Sequence, residues 1–508
     1  MNSAKKGLGN ILTNFISEAV TVLLGIIIPR LVLVNLGSEA NGLLTSITNI
    51  LRYVALLEAG VGTAALQSLY GPAAKDDRDS IRSILAATDR FYRRTGFVYA
   101  AVVLLLTFVF PFTIRSELPK TEIMGVLFLS GIPGVITYFF QGKFTIFLKA
   151  EGKNYVLTLL TTLTLILTSI GKIILLVLGF NLVALQLITL LFNIAQVIFI
   201  MSYMKRHYPW LELDVKPDYD AISKSKNALV HQVATLIFFN MDVLILTYFC
   251  GLKTASVYSM YATMFGIVSL MITNFNGVDF ILGQSFNTDR ERYLKLQDTF
   301  EIYNMALTFS LFCVAGIFIL PFMKLYTAGV TDINYIDKYL PYLMISTYLM
   351  SNGRAASSQA IDFAQHFKQT QGRAILESCI NLVFSLVGVY YLGIYGVLIG
   401  TAAALLYRTN DMILYASRRI LHRSPWITYR RWLLNLALFI LFSVGAKALF
   451  AHIALDSYVS IVLWAAASCI VIVPLFFLIV SLFDRETFRF ARELLTPYVR
   501  ALRNRLRG

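Results

Sequence analysis

Asn41, Thr45, Thr48 and Arg52 follow a 4-3-4 spacing inside an apolar run, which puts a polar stripe ending in arginine on one helical face. Arg354, Ser358 and Gln365 make a second such stripe, with Asp362 beside it. A charge at mid-bilayer costs about 2.5–3.5 kcal/mol on insertion scales, so such residues face a cavity or a partner. Arginine's planar fork grips phosphate oxygens two at a time. Two stripes with one arginine each therefore fit an anionic substrate held in a central cavity. The plainer alternative is a buried arginine tied to a carboxylate, such as Glu58 or Glu18 for Arg52, that holds helices together.

The other charges within apolar runs divide by context. Arg30 follows Pro29, where a kink can aim it into the cavity or let it snorkel outward. Lys143 and Lys172 either add to the cationic lining or snorkel to an interface. Arg408 with Asp411, and Arg373 with Glu377, read as structural ion pairs at helical spacing, and Lys447 as a snorkelling residue. Among the acids, Asn14, Glu18, Thr21 and Gly25 share one face; His231, Thr235 and Asp242 share another. A carboxylate in an apolar surround can load and release a proton, or hold Na⁺ with nearby carbonyls. Glu18, Glu58, Asp242, Asp279 and Asp362 are the candidates for coupling or gating, each with the alternative of pairing a buried arginine.

The elements that position these residues follow from composition. Of 508 residues, 57% are hydrophobic and 14% charged, and the mean hydropathy is +0.68. Soluble domains carry about 25% charged residues, so an ordinary water-soluble enzyme is excluded and an all-α polytopic membrane protein expected. Apolar stretches of crossing length fall at 10–34, 41–66, 94–114, 123–148, 155–179, 182–204, 228–250, 255–283, 301–325, 339–365, 372–392, 394–417, 432–452 and 458–483. That predicts about 14 helices. With the N-terminus in the cytoplasm, most of the 44 Lys and Arg fall in inner segments, which places both termini inside. The net charge of +15 is thus a matter of topology, and no nucleic-acid partner is expected.

The leading MNSAKKGLGN has no small-residue cleavage site after it and reads as part of a retained first helix. Cys250, Cys313, Cys379 and Cys469 lie in apolar runs without metal-ligand spacing and read as core hydrophobes; no metal site is expected. No phosphate-binding loop or hydrolase motif appears in a suitable context, so ATP hydrolysis is not expected, nor is any enzymatic activity. The tail 484–508 interleaves Arg with Phe and Leu, as an amphipathic helix on an anionic leaflet or a solvated basic tail does.

A faint internal echo sets LVNLGSEANGLLTSITNI (33–50) against LTYFCGLKTASVYSMYATM (246–264), with Gly37 opposite Gly251. A parallel repeat of this kind gives two pseudo-symmetric six-helix lobes with a substrate path between halves. The expected division is an N-lobe at 1–204, a cytoplasmic linker at 205–227, a C-lobe at 228–423, two added helices at 424–483 and the basic tail at 484–508.

The segment IIIPRLVLVNLGSEANGLLTSITNILRYVALLEAGVGTAALQSLY resembles the start of a polysaccharide-biosynthesis flippase. It has a Pro near the end of helix 1, LG-x-E-x-x-G opening helix 2, then an LLEAGVG-type stretch. ILAATDRFYRRTG is similar to the cytoplasmic helix of the bacterial oligosaccharide (Wzx-type) branch of the MOP superfamily, which also holds lipid II flippases and multidrug extruders. The resemblance is clearest over residues 10–100. It implies alternating-access transfer of undecaprenyl-diphosphate-linked oligosaccharide units from the inner to the outer leaflet of a bacterial plasma membrane, for capsule or other surface polysaccharide. It also implies a cationic cavity for the diphosphate, met here by Arg52 and Arg354, and a tail groove associated with the last two helices in the lipid II branch. The implied partners are the lipid-linked glycan, membrane lipids and the polymerase and chain-length machinery, around a monomer. No cofactor is implied; cycling is coupled to a H⁺ or Na⁺ gradient or to the membrane potential. A lipid II flippase and a multidrug extruder are the competing readings, the latter disfavoured by the cationic set.

Overall fold

The computed structural model describes residues 3–58, 60–222, 241–274, 279–450, 453 and 455–505. Among these the secondary structure is helical, without a strand. The helices are α1 (Ser3–Val54), α2 (Val61–Lys75), α3 (Arg78–Thr113), α4 (Lys120–Ile136), α5 (Gly142–Ala150), α6 (Asn154–Val177), α7 (Leu182–His207), α8 (Met241–Cys250), α9 (Leu252–Asn274) and α10 (Asp279–Thr288). The series continues with α11 (Arg290–Tyr326), α12 (Leu340–Gly353), α13 (Ala355–Phe363), α14 (Phe367–Leu392), α15 (Ile394–Tyr415), α16 (Trp426–Phe450), α17 (Tyr458–Phe483) and α18 (Arg485–Arg505).

Ten helical stretches among the described residues are long and apolar enough to cross a bilayer, and the chain is a multi-pass membrane protein. The first stretch, Thr13–Glu58, has 46 residues, about 69 Å at 1.5 Å per residue. That is more than twice a hydrocarbon core of about 30 Å. It divides at Gly37, whose φ of 84° and ψ of 177° interrupt the helix. A residue without Cβ meets no penalty there. The expected span 10–34 is thus the first arm of α1, whereas 41–66 is broken: its first part is the second arm of α1, ending at Val54, and its end lies in α2. Asp332 caps the second arm, accepting from the Ser38 amide at 2.8 Å and the Ser38 hydroxyl at 2.7 Å. Its negative charge also meets the positive end of the arm's dipole. Gly251 has φ 87° and separates α8 from α9 in the same manner.

Three expected spans do not qualify on length and apolarity. Of 228–250, only α8 is described. The run 339–365 splits at Arg354 into α12 and α13, and α15 loses apolarity to Arg408, Asn410 and Asp411. The run 123–148 keeps its helical path through a π-helical turn at Thr137–Gln141. All four cysteines are free; Cys313 is buried, but Cys379 is exposed on α14 rather than part of a core.

The chain forms two compact units. The first comprises residues 1–260, 329–333 and 389–394; the second comprises 261–328, 334–388 and 395–508. In the first, α1 packs along α6, α3 along α4, and α7 against α4 and α6. Segment 208–222 belongs to this unit as a strap. Tyr208 and Trp210 edge onto Phe147, Arg82 donates to the Glu212 carbonyl, and Ser68 to that of Ala221. In the second unit α11 is central and packs against α12, α16 and α17. Phe309 of α11 meets Trp432 of α16 edge-on at 5.4 Å.

Candidate functional site

The Asn41–Arg52 stripe lies on the second arm of α1, and the first unit divides it into two parts. A Cβ on Gly42 would lie 2.0 Å from the Leu252 carbonyl oxygen, so α9 crosses this arm at the closest possible approach. Along that crossing Asn41 donates to the Ser256 hydroxyl at 2.8 Å, Thr45 reaches the Ser259 hydroxyl at 3.4 Å, and Ser46 and Thr247 share a 2.6 Å hydrogen bond. Small residues and hydroxyls let membrane helices approach and bond in this way. The upper stripe is therefore a helix–helix seam. Thr48 and Arg52, one and two turns on, are exposed.

Arg52 also differs from expectation in its place along the helix. It lies in the last turn of α1, followed by a 3₁₀ turn at Ala55–Glu58 and a break at Gly60, not mid-way along a continuous 41–66 span. Next to it, Tyr53 is within electrostatic reach of Asp242. Asp242 is buried on α8 and accepts from the Tyr258 hydroxyl at 2.8 Å. His231 and Thr235, which share its expected face, lie outside the described residues, as do the side chains of Asp279 and Lys447.

Glu58 sits in the 3₁₀ turn and accepts a hydrogen bond from Tyr92 of α3. Tyr92 in turn meets Tyr138 edge-on at 5.8 Å, so a half-buried acid joins two buried phenols. Lys143 is held in an ion pair with Asp89, which also takes Arg93 at 2.9 Å. That geometry clips α5 to α3 and commits Lys143 to a protein carboxylate. Lys172 is half-buried on α6 and has no ion-pair partner among the described residues. Arg30 and Glu18 are both half-buried on the first arm of α1.

In the second unit the break at Arg354 positions a relay of charges. Arg354 donates to Glu377 at 2.7 Å, Glu377 also lies 3.3 Å from Arg408, Arg408 donates to Asp411 at 2.8 Å, and Arg373 pairs with Asp411 too. The expected Arg408–Asp411 pair is present. Arg373, however, reaches Asp411 and not Glu377, because Arg354 and Arg408 come from other helices to occupy Glu377. The expected Arg354, Ser358, Gln365 stripe is not one face: α13 ends at Phe363, and Gln365 has φ 54°. Asp362 is exposed on α13.

A further network was not anticipated. Glu301 of α11 is buried, and its carboxylate takes Arg423, Arg431 at 3.1 Å and the Thr428 hydroxyl at 2.8 Å. Asp298 pairs with the same two arginines, and Arg431 also donates to Asp484 at 2.7 Å. Arg423 and Arg431 were counted among the inner-loop cations of the sequence; here they are internal ties from α11 to the start of α18. The signal was the helical pair Asp298 and Glu301, three apart where the charged start of α11 gives way to its apolar run.

No protein-family model and no curated protein sequence matches the chain. Solved structures do. The lipid II flippase MurJ in an inward closed conformation aligns with a TM-score of 0.65 at 15% identity, covering 95% of this chain and 99% of that one. An inward-facing multidrug resistance MATE family transporter of the MOP superfamily aligns with a TM-score of 0.63 at 15% identity, covering 78% and 95%. A MATE in the bent conformation gives 0.55 at 16% identity, covering 80% and 92%. The fold is that of the MOP-type transporters.

Proposed function

We propose that this protein is a flippase that carries undecaprenyl-diphosphate-linked oligosaccharide repeat units from the inner to the outer leaflet of a bacterial plasma membrane by alternating access. The observation that carries this reading is the pairing of a MurJ-like fold over nearly the whole chain with an exposed arginine in the last turn of α1. The likeness to MurJ runs over 95% of the chain, whereas the two MATE likenesses run over 78% and 80%. Arg52 is exposed, and Lys172 lacks an ion-pair partner among the described residues. A diphosphate headgroup is what such groups bind most strongly. Arg354 and Lys143, tied to Glu377 and Asp89, serve in this reading as structural supports.

The second reading is a lipid II flippase, favoured by the MurJ likeness itself, and it differs only in the glycan-peptide carried. A strain lacking the protein separates the readings. Accumulated lipid-linked repeat units with surface polymer lost supports the first. Lethality with accumulated lipid II supports the second. Hypersensitivity to cationic drugs without either accumulation overturns both in favour of an extruder.

Asp242 is the proposed coupling acid, since it is buried beside two phenols that can pass or retain a proton. Asp242→Asn is expected to blunt dependence of transport on the H⁺ or Na⁺ gradient in vesicles. Unchanged dependence returns Asp242 to a structural role.

A further inference from the structure

An apolar groove of about 840 Å³ runs between α11, α17 and α18, outside every group assigned above. Its walls are side chains such as Val473, Phe477 and Leu482 of α17 and Phe488 and Ala491 of α18. Of the three hydroxyls in its wall, Tyr303 and Ser481 hydrogen-bond each other at 3.0 Å and Thr496 donates to the Arg492 carbonyl at 2.6 Å, so all three have partners within the protein. From Val473 to Leu482 the groove follows about 14 Å of helix at 1.5 Å per residue. That is one half of a hydrocarbon core of about 30 Å, the depth of a single leaflet.

The polar end of the groove is cationic. Arg492 and Thr496 form its rim on α18, which begins directly after the membrane-crossing α17 ends at Phe483. Arg492 is exposed and has no carboxylate partner among the described residues. Arg485 and Arg489 precede it at i−7 and i−3, on the same side of the helix. Phe490 and Leu494, on another side, pack into the core of the second unit and fix α18 in place. An apolar slot one leaflet deep with a fixed arginine at its mouth matches a phospholipid whose headgroup is anionic.

We propose that α11, α17 and α18 form a binding site for one anionic phospholipid of the bulk membrane, with an acyl chain along Val473–Leu482 and the phosphate at Arg492. This does not depend on the substrate being a lipid-linked glycan; the occupant is a resident of the bilayer, not cargo.

The test uses full-length protein in phosphatidylcholine vesicles carrying a trace of phosphatidylglycerol with a photoreactive acyl chain, or phosphatidylcholine with the same chain. Adducts are mapped by mass spectrometry. Both probes carry the phosphate, but choline's cation cancels its charge, so the phosphatidylglycerol probe is expected to label 473–482 about fivefold more than the phosphatidylcholine probe, the scale on which a net anionic headgroup attracts one arginine at the membrane surface. Arg492→Glu should remove that preference, Arg492→Lys retain most of it, and Ala491→Trp, which fills the slot, abolish labelling by both probes. Arg492 is exposed, so its variants test the proposal even if Ala491→Trp fails to fold. Equal labelling by the two probes, or a preference unchanged in Arg492→Glu, would overturn the proposal.

Discussion

Arg52→Ala is expected to lower translocation of a diphosphate-linked lipid by about ten- to a hundred-fold, with membrane insertion kept and a smaller change in melting temperature than Arg354→Ala gives. A hydrogen bond to a charged group is worth about 1.5–3 kcal/mol, and each ~1.4 kcal/mol is tenfold. Arg52 is exposed in the last turn of α1, and substitutions at exposed positions rarely move stability by more than about 0.5 kcal/mol. Arg52→Lys keeps the charge but loses the fork, so partial activity is expected. Arg354→Ala should behave differently. It leaves Glu377, which is buried, with Arg408 alone, so stability falls along with transport. Flux assays beside thermal melts in detergent separate the two. Wild-type transport in Arg52→Ala removes the diphosphate role assigned to this residue.

Glu301→Ala is expected to be the most destabilising single change in the second unit, at about 3–5 kcal/mol. Glu301 is 1% exposed and Arg431 5%, so removing the carboxylate leaves Arg423 and Arg431 to share Asp298, with Asp484 as the remaining further partner of Arg431. The loss appears as a lower melting temperature and poor recovery after purification. A melt indistinguishable from wild type means the network is not internal. At the edge of this network, outside the membrane-crossing helices, burial works to raise the Asp484 carboxyl. The Arg431 hydrogen bond and charge, with bonds from Thr487, outweigh it and hold the group below its usual value. A depressed carboxyl contributes stability above its unfolded pKa of about 3.9, lost as pH falls through the folded value. The Arg431–Asp484 tie to α18 therefore outlasts mild acid.

The sequence made the membrane class and most crossing helices legible because hydrophobic length is a local signal. Gly37 marked the break in α1 for the same reason, since a glycine between two long helices is visible without partners. What was not legible is set by contacts between distant segments. The pairing of Arg373 with Asp411 depends on Arg354 and Arg408 reaching Glu377 first, and no spacing rule along one helix contains that competition. Arg52 looked mid-span because the apolar Ala55–Leu57 follows it, yet a 3₁₀ turn and Gly60 end the helix just beyond it. The burial of Arg431 and the pairing of Arg423 were hidden by their flanks, which read as an inner loop until Glu301 is brought to them.

The most direct measurement of the central claim reconstitutes the purified protein in proteoliposomes with a fluorescent undecaprenyl-diphosphate-linked glycan. Transfer between leaflets is read by protection from a membrane-impermeant glycosidase. Protein-dependent transfer of the diphosphate lipid, lost in Arg52→Ala and absent for the same glycan on an uncharged prenyl ether, is the expected result. Equal transfer of both lipids, or none with folded wild-type protein, would contradict a flippase that reads the diphosphate.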